Sequence, residues 1–295
     1  MKSALIQLLL KRNIFASRRL GQNFLIDPNF FKYIIRAANI SESDDVIEIG
    51  SGPGILTELL SRQARSVIAV DIDQKLISLA RESLGGQTNI QFINADILNK
   101  SRTEINTDVA RHLSPGICYK TVSNLPYKTA VPIIMTLLES CLPRISAGLS
   151  ADSSGALKIK SMLVMTQWEA AERLVASTGT AQYSSLSVRA QYLADIRIDR
   201  KVPPEVFYPK PKVQSALIVI TPKNNIDQIL YTNLKSFVSA VFRYRRKTVN
   251  TALQKSGLFG DKQNIQNLLS KAGIECRTRP EDIGLEDYIK LSGLL

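Results

Sequence analysis

Between residues 45 and 221, short runs of aliphatic and β-branched residues alternate with segments in which apolar residues recur every three or four positions. A nearly continuous apolar run reads as a strand buried on both faces, and the wider spacing reads as a helix with one apolar stripe. Strands are therefore predicted at Asp45–Ile49, Val67–Asp71, Ile90–Ile93, Cys118–Ser123, Ser161–Thr166, Leu193–Ile198 and Ser215–Thr221. Helices are predicted at Ile55–Arg62, Gln74–Ser83, Ala130–Ser140 and Trp168–Ala176. This alternation implies a doubly wound α/β sheet of seven strands. Past Thr221-Pro222 the strand pattern stops. Only helical spacing continues, as in Ile229, Leu234, Phe237, Val238 and Val241, so a domain at 1–221 is expected to precede a small all-helical domain at 222–295. The small, polar Ser146–Gly155 stretch reads as a surface loop without chemistry.

Composition adds a partner class. The 295 residues are 44% hydrophobic, enough for one large core and an appended domain, and 38 Lys+Arg against 26 Asp+Glu leave a charge of +12 that favours a polyanion. Three scattered cysteines (Cys118, Cys141, Cys276) spell neither a disulfide framework nor a zinc site, so no metal is expected and a reducing, cytoplasmic location fits. The apolar stretch Ala4–Leu10 is far shorter than the roughly 20 residues that span a bilayer, so no membrane helix is expected. The N-terminus carries Lys2, Lys11, Arg12, Arg18 and Arg19 and no acid before Asp27. It reads either as a targeting segment or as a short helix and basic arm leading into a binding loop. The single histidine, His112, lies in a polar segment without a partner, which argues against histidine acid–base chemistry.

The candidate chemistry lies at strand ends. The first predicted strand runs into Glu48-Ile49-Gly50-Ser51-Gly52-Pro53-Gly54 and then directly into a helix. Glycines Gly50, Gly52 and Gly54 permit a sharp turn and the close approach of a ligand, but the GxGxG spacing differs from the dinucleotide GxGxxG. No lysine stands among them, as a phosphate-binding loop would require. The second strand ends at Asp71, where an acid accepts ribose hydroxyls, and the third leads to Asp96, a candidate acceptor for an adenine amino group. This set resembles the S-adenosylmethionine methyltransferase superfamily, which implies a Rossmann-like fold with a mixed seven-stranded sheet and that cofactor. An acidic surround suits its cationic sulfonium.

The fourth strand ends in Asn124-Leu125-Pro126-Tyr127. Adenine N6 is a poor nucleophile because its lone pair is delocalised into the ring. The amide oxygen of Asn124 and the carbonyl of Leu125 are suited to accept one N6 hydrogen each, which draws the nitrogen toward a tetrahedral geometry. Pro126 stiffens the turn and Tyr127 offers a face for stacking. Such bonds accelerate the reaction only if they strengthen in the transition state.

With these motifs the chain resembles the ribosomal RNA adenine N6-dimethyltransferases along nearly its whole length, in particular the bacterial small-subunit branch. Gly21-Gln22-Asn23-Phe24-Leu25 matches the family's GQNFL block, and the resemblance implies cofactor contacts at Asn23, Leu25, Gly50, Asp71, Asp96 and Asn124. It makes the basic arm part of the enzyme. Phe207-Tyr208-Pro209-Lys210-Pro211-Lys212-Val213-Gln214-Ser215 is similar to the F-x-P-x-P-K-V-x-S block, whose aromatic, here Phe207, packs on the target base opposite Tyr127. Phe242-Arg243-Tyr244-Arg245-Arg246-Lys247-Thr248 is similar to the F-x-x-RRKT block that opens a helix. Arg18, Arg19, Arg243, Arg245, Arg246 and Lys247 are the expected RNA contacts. One departure is Ser184 where the family commonly has glycine.

The resemblance implies a monomer acting on small-subunit ribosomal RNA or a pre-30S particle, giving N6,N6-dimethyladenosine. Two rivals stay open: a large-subunit enzyme of the macrolide-resistance type with the same site, and a non-catalytic RNA-binding assembly factor.

Overall fold

The apolar runs form β2 (Asp45–Ile49), β3 (Ser66–Asp71), β4 (Ile90–Asn94), β5 (Cys118–Asn124), β6 (Lys158–Gln167), β7 (Ala194–Val202) and β9 (Ser215–Pro222), while β1 (Phe24–Leu25) and β8 (Phe207–Tyr208) make a separate pair. The helices are α1 (Lys2–Lys11), α2 (Pro28–Ala38), α3 (Ile55–Ser61), α4 (Gln74–Leu84), α5 (Thr107–Ala110), α6 (Ala130–Ser140), α7 (Trp168–Val175), α8 (Ser185–Leu193), α9 (Gln228–Phe242), α10 (Val249–Ser256), α11 (Lys262–Ala272) and α12 (Leu285–Gly293). This computed structural model describes residues 2–17, 19–98, 104–114, 116–143 and 156–295. The polar loop expected at 146–155 lies outside the described residues.

The sheet is mixed, in the order β4-β3-β2-β5-β6-β9-β7. Pairings β2–β3, β2–β5, β3–β4 and β5–β6 are parallel, and β6–β9 is antiparallel. Parallel pairing brings the carboxyl ends of β2 through β5 to one edge, the edge where open α/β sheets bind ligands. One core cluster joins Val46, Leu60, Val67, Val122 and Met165 to Phe30, Phe31 and Ile34 of α2. Asp27 caps α2 by accepting from the amides of Asn29 and Phe30, and Pro28 occupies its first turn. A second cluster packs Leu5, Leu9 and Ile14 against Phe24, Ile26, Leu76 and Leu79, so the N-terminal helix is docked on α4.

The chain divides into two compact units, Met1–Ala171 with Arg197–Pro222 and Glu172–Ile196 with Lys223–Leu295. One division falls between Pro222 and Lys223, and Glu172–Ile196, expected in the first domain, clusters with the C-terminal helices. The reason is that α8, whose Leu186, Val188 and Leu193 are buried, packs against α9. In the second unit Leu234, Phe237, Val238 and Val241 of α9 are buried as their spacing predicts, whereas Ile229 is 64% exposed. Asp227, Thr248 and Asp261 cap α9, α10 and α11. Ser184 is extended at φ −157° and forms a capping box with Ser187, so glycine is not required there.

Candidate active site

A cleft of about 200 Å³ opens at the carboxyl ends of β2 through β5, bordered by Gly50, Gly52, Asp71, Asp96, Asn124 and Tyr127. Arg19, Asn23, Leu125 and Pro126 also reach it. The structure therefore brings together most of the residues singled out from the sequence, including the glycine turn and the Asn-Leu-Pro-Tyr turn. Leu25, Gly54 and Phe207 do not line this cleft. Arg18 lies outside the described residues.

The glycine turn adopts left-handed backbone at Gly50, Gly52 and Gly54, with φ of 74°, 56° and 85°. A side chain at Gly50 would place Cβ 3.3 Å from both the Asn124 carbonyl and Pro126 Cδ, so this glycine lets the two motifs close on each other. At Gly54 a Cβ would come within 3.0 Å of Ala80 Cβ, which shows that Gly54 serves the packing of α3 on α4. Leu25 likewise belongs to the core, because its pairing with Phe207 turns both side chains inward.

Asp71 ties the second strand to the turn. Its Oδ2 accepts from the Gly52 amide at 2.8 Å and its Oδ1 from the Asp73 amide at 2.8 Å. Burial raises the carboxyl above the ordinary range, and the amides of Asp73 and Gly52 oppose that shift. The carboxylate keeps acceptor capacity for a hydroxyl. Asp96 accepts from the Leu98 amide at 3.1 Å through Oδ1. Asp73 caps α4 by accepting from Lys75 and also receives Gln22 Nε2 at 3.3 Å. Between the two acids, Ile72 is an exposed apolar side chain on the cleft wall that sequence reasoning missed. The signal was an apolar residue at the carboxyl end of a strand, where no core follows.

Glu48, just before the turn, is fully buried, and its Oε2 accepts from Thr57 Oγ1 at 2.5 Å. Burial pushes its carboxyl up to about 8, Thr57 opposing and the nearby Asp71 adding to the rise.

Asn124 is held from the far side of the cleft. Its Nδ2 donates to the Asn23 carbonyl at 2.8 Å, and because a carbonyl only accepts, this contact decides which end of the amide is which. Oδ1 is thereby left as an acceptor. Neither it nor the Leu125 carbonyl receives a hydrogen bond among the described residues. The Leu125 amide donates to Met165 at 3.3 Å and the Pro126 carbonyl accepts from Thr129 at 3.0 Å, which fixes the turn on both sides of these acceptors. The strap carrying Asn23 is itself anchored, Lys128 Nζ donating to the Arg19 carbonyl at 3.3 Å.

In this structure the rings of Tyr127 and Phe207 pack against each other. Phe207 is only 2% exposed, and its ring meets Tyr127 edge-on with centroids 6.4 Å apart and planes at 78°. Its place in β8 explains this, since pairing with β1 commits the side chain to the core.

In the second unit the basic block connects α9 to α10, with Thr248 capping α10. Arg243, Arg246 and Lys247 are exposed. Arg245 is engaged instead: Nη2 donates to the Thr180 carbonyl at 3.2 Å and Nε lies 3.8 Å from Glu281 Oε2. Arg19 is exposed at the cleft.

Sheet order, glycine turn and strand-end acids together define a Rossmann-like methyltransferase. A family model for ribosomal RNA adenine dimethylase matches residues 15–295, and the chain belongs to that family. The ribosomal RNA small subunit methyltransferase A of Pediococcus pentosaceus is 38% identical over 288 residues, 95% of this chain and 90% of that one. Among solved structures, a dimethyladenosine transferase from Plasmodium falciparum has a TM-score of 0.72 at 24% identity, covering 91% of this chain and 95% of that one. The 23S rRNA methyltransferase ErmE has a TM-score of 0.64 at 23% identity, covering 92% of this chain and 98% of that one. At these identities the two structures share the fold. No helix among the described residues is long and apolar enough to cross a membrane.

Proposed function

We propose that the protein transfers methyl groups from S-adenosylmethionine to N6 of adenines in small-subunit ribosomal RNA, giving N6,N6-dimethyladenosine. The observation that carries the proposal is the pair of unused acceptors, Asn124 Oδ1 and the Leu125 carbonyl, fixed at the cleft next to Tyr127. The 38% identity to a small-subunit enzyme favours this substrate over large-subunit RNA. The intact cleft argues against a purely non-catalytic assembly factor.

The residues present suit the cofactor. Gly52 leaves room at the turn, Asp71 offers acceptors to ribose hydroxyls, Asp96 offers one to an adenine amino group, and Ile72 presents an apolar face. When bound, S-adenosylmethionine supplies an electrophilic methyl group. Asn124 and Leu125 accept the two N6 hydrogens of the target adenine and localise the nitrogen lone pair. Tyr127 provides a stacking face, worth roughly 1–3 kcal/mol, which offsets part of the cost of drawing the base from its stack. Phe207 packs against that ring at a steep angle. Positioning supplies most of the acceleration, and the proton leaves to water.

Arg19, Arg243, Arg246 and Lys247 are the proposed phosphate contacts. Arg245 is assigned to holding its own unit together. We place the activity in the cytoplasm, where the free Cys118, Cys141 and Cys276 stay reduced, and take the protein to act as a monomer. The test is labelled methyl transfer to purified, unmethylated small and large ribosomal subunits side by side, with nucleoside analysis of the product. Dimethyladenosine confined to the small subunit is the expected result, and labelling of the large subunit alone would reverse the assignment.

A further inference from the structure

Tyr127 is restrained at two places. Its hydroxyl shares a hydrogen bond with Ser215 Oγ, and its ring packs T-shaped against Phe207. Ser215 is completely buried and opens β9, where it pairs with Gln167 in the antiparallel ladder to β6. The neighbouring Gln214 carbonyl accepts from the Trp168 amide at 2.9 Å, so the backbone on both sides of Ser215 is fixed to the sheet and its end. The Ser215 hydroxyl makes no other hydrogen bond among the described residues. A buried serine on a strand more often satisfies itself on a nearby carbonyl. Here its one partner is a side chain on a different loop that borders the cleft.

A phenol at the edge of a cleft has water available, so satisfying its hydrogen bond does not by itself require Ser215. What the contact adds is direction. A tyrosine ring turns about two side-chain torsions, and anchoring its far end to a strand while Phe207 packs against the ring restricts both. We infer that Ser215 is a positioning residue, which holds the Tyr127 ring so that one face stays open to the target adenine. The inference rests on the proposed reading of Tyr127 as the stacking platform. It also takes the hydroxyl out of the chemistry: burial raises the phenol above its ordinary pKa, with Ser215 opposing, so Tyr127 stays neutral and is no general base.

The experiment is a double-mutant cycle on Ser215→Ala and Tyr127→Phe, with Tyr127→Ala as reference. It measures methyl transfer to unmethylated small subunits, the KM for S-adenosylmethionine and the melting temperature of each protein. Losing one hydrogen bond of about 1.4 kcal/mol corresponds to tenfold. Each single variant is therefore expected to lower kcat about tenfold with the cofactor KM unchanged, and the double variant is expected to lose no more than either single one. Additive losses, a raised cofactor KM or undiminished turnover in Ser215→Ala would overturn the positioning role. If Ser215→Ala fails to fold, Tyr127→Phe removes the same bond without touching the sheet, and wild-type kcat in it overturns the role alone. Full turnover in Tyr127→Ala would instead remove the platform reading, a separate outcome.

Discussion

Strand β5 carries polar residues at both ends, and the fold treats them in opposite ways. Near its start, buried Lys120 donates to the Asn39 carbonyl at 2.5 Å and to Asp44 Oδ2 at 2.9 Å, while Asp44 also accepts from Ser41. Burial alone would raise the Asp44 carboxyl, but the bonds from Lys120 and Ser41 outweigh it and hold it at about 2. At the other end, four residues on, Asn124 has spent its amide N–H on Asn23 and kept its oxygen unused. The first arrangement is closed, with its polar groups consumed in tying α2 and β2 to the sheet. The second is open, with polar groups held rigidly and left short of partners. The contrast separates polar groups consumed by the fold from polar groups left available to the proposed reaction.

The largest effect is expected at the open end. Asn124→Ala removes the acceptor proposed to engage N6 in the transition state and should lower kcat by roughly 10²–10³-fold or more, a loss far larger than any change in cofactor affinity by calorimetry. Undiminished turnover would show that Oδ1 is not used. At the closed end the loss is in stability. Lys120→Ala leaves Asp44 buried and unpaired and should cost about 3–5 kcal/mol in denaturant unfolding, while the KM values of the folded fraction stay put. A comparable loss of catalysis would erase the distinction between the two ends.

Glu48 lies between these cases, a buried acid with one hydroxyl partner. Its folded-state pKa is raised, so the folded protein keeps the proton up to about pH 8, whereas the unfolded chain releases it in the ordinary carboxylate range. Stability is complete below that range and falls as pH rises toward 8. Glu48→Gln should therefore gain melting temperature over wild type at pH 8 and little at pH 5, and an equal difference at both would refute the shift. The smallest effect concerns RNA. Replacing Arg246 and Lys247 with Gln should weaken binding and flatten its salt slope by roughly 0.7–0.9 per lost phosphate contact. Arg245→Gln should instead lower the melting temperature through Glu281 and Thr180. An undiminished salt slope in the double variant would move the RNA surface elsewhere.

Much of this was readable along the chain. The central strand Asp45–Ile49 is a short β-branched run ended by the Gly motif, the Pro motif marks the end of Cys118–Asn124, and Ala130–Ser140 is an apolar helix with clear limits. The pair β1–β8 was not readable, because two residues per strand carry no period. The burial of Phe207 was not readable for the same reason, since only that pairing shows that its ring faces the core. Neither α2 nor α8 was anticipated, and with α8 went the membership of 172–196, which depends on the contact with α9.

Local order in the chain determined the strand–helix alternation, the glycine turn and the presence of Asn-Leu-Pro-Tyr at a strand end, because hydrophobic period and backbone freedom act over a few residues. Which atoms stay unused was decided in three dimensions. Asn23 is 101 positions from Asn124, and Ser215 is 88 from Tyr127, yet these contacts orient the acceptor and the ring. A hydrogen bond depends on distance in space, and only the folded sheet converts such separations into contact.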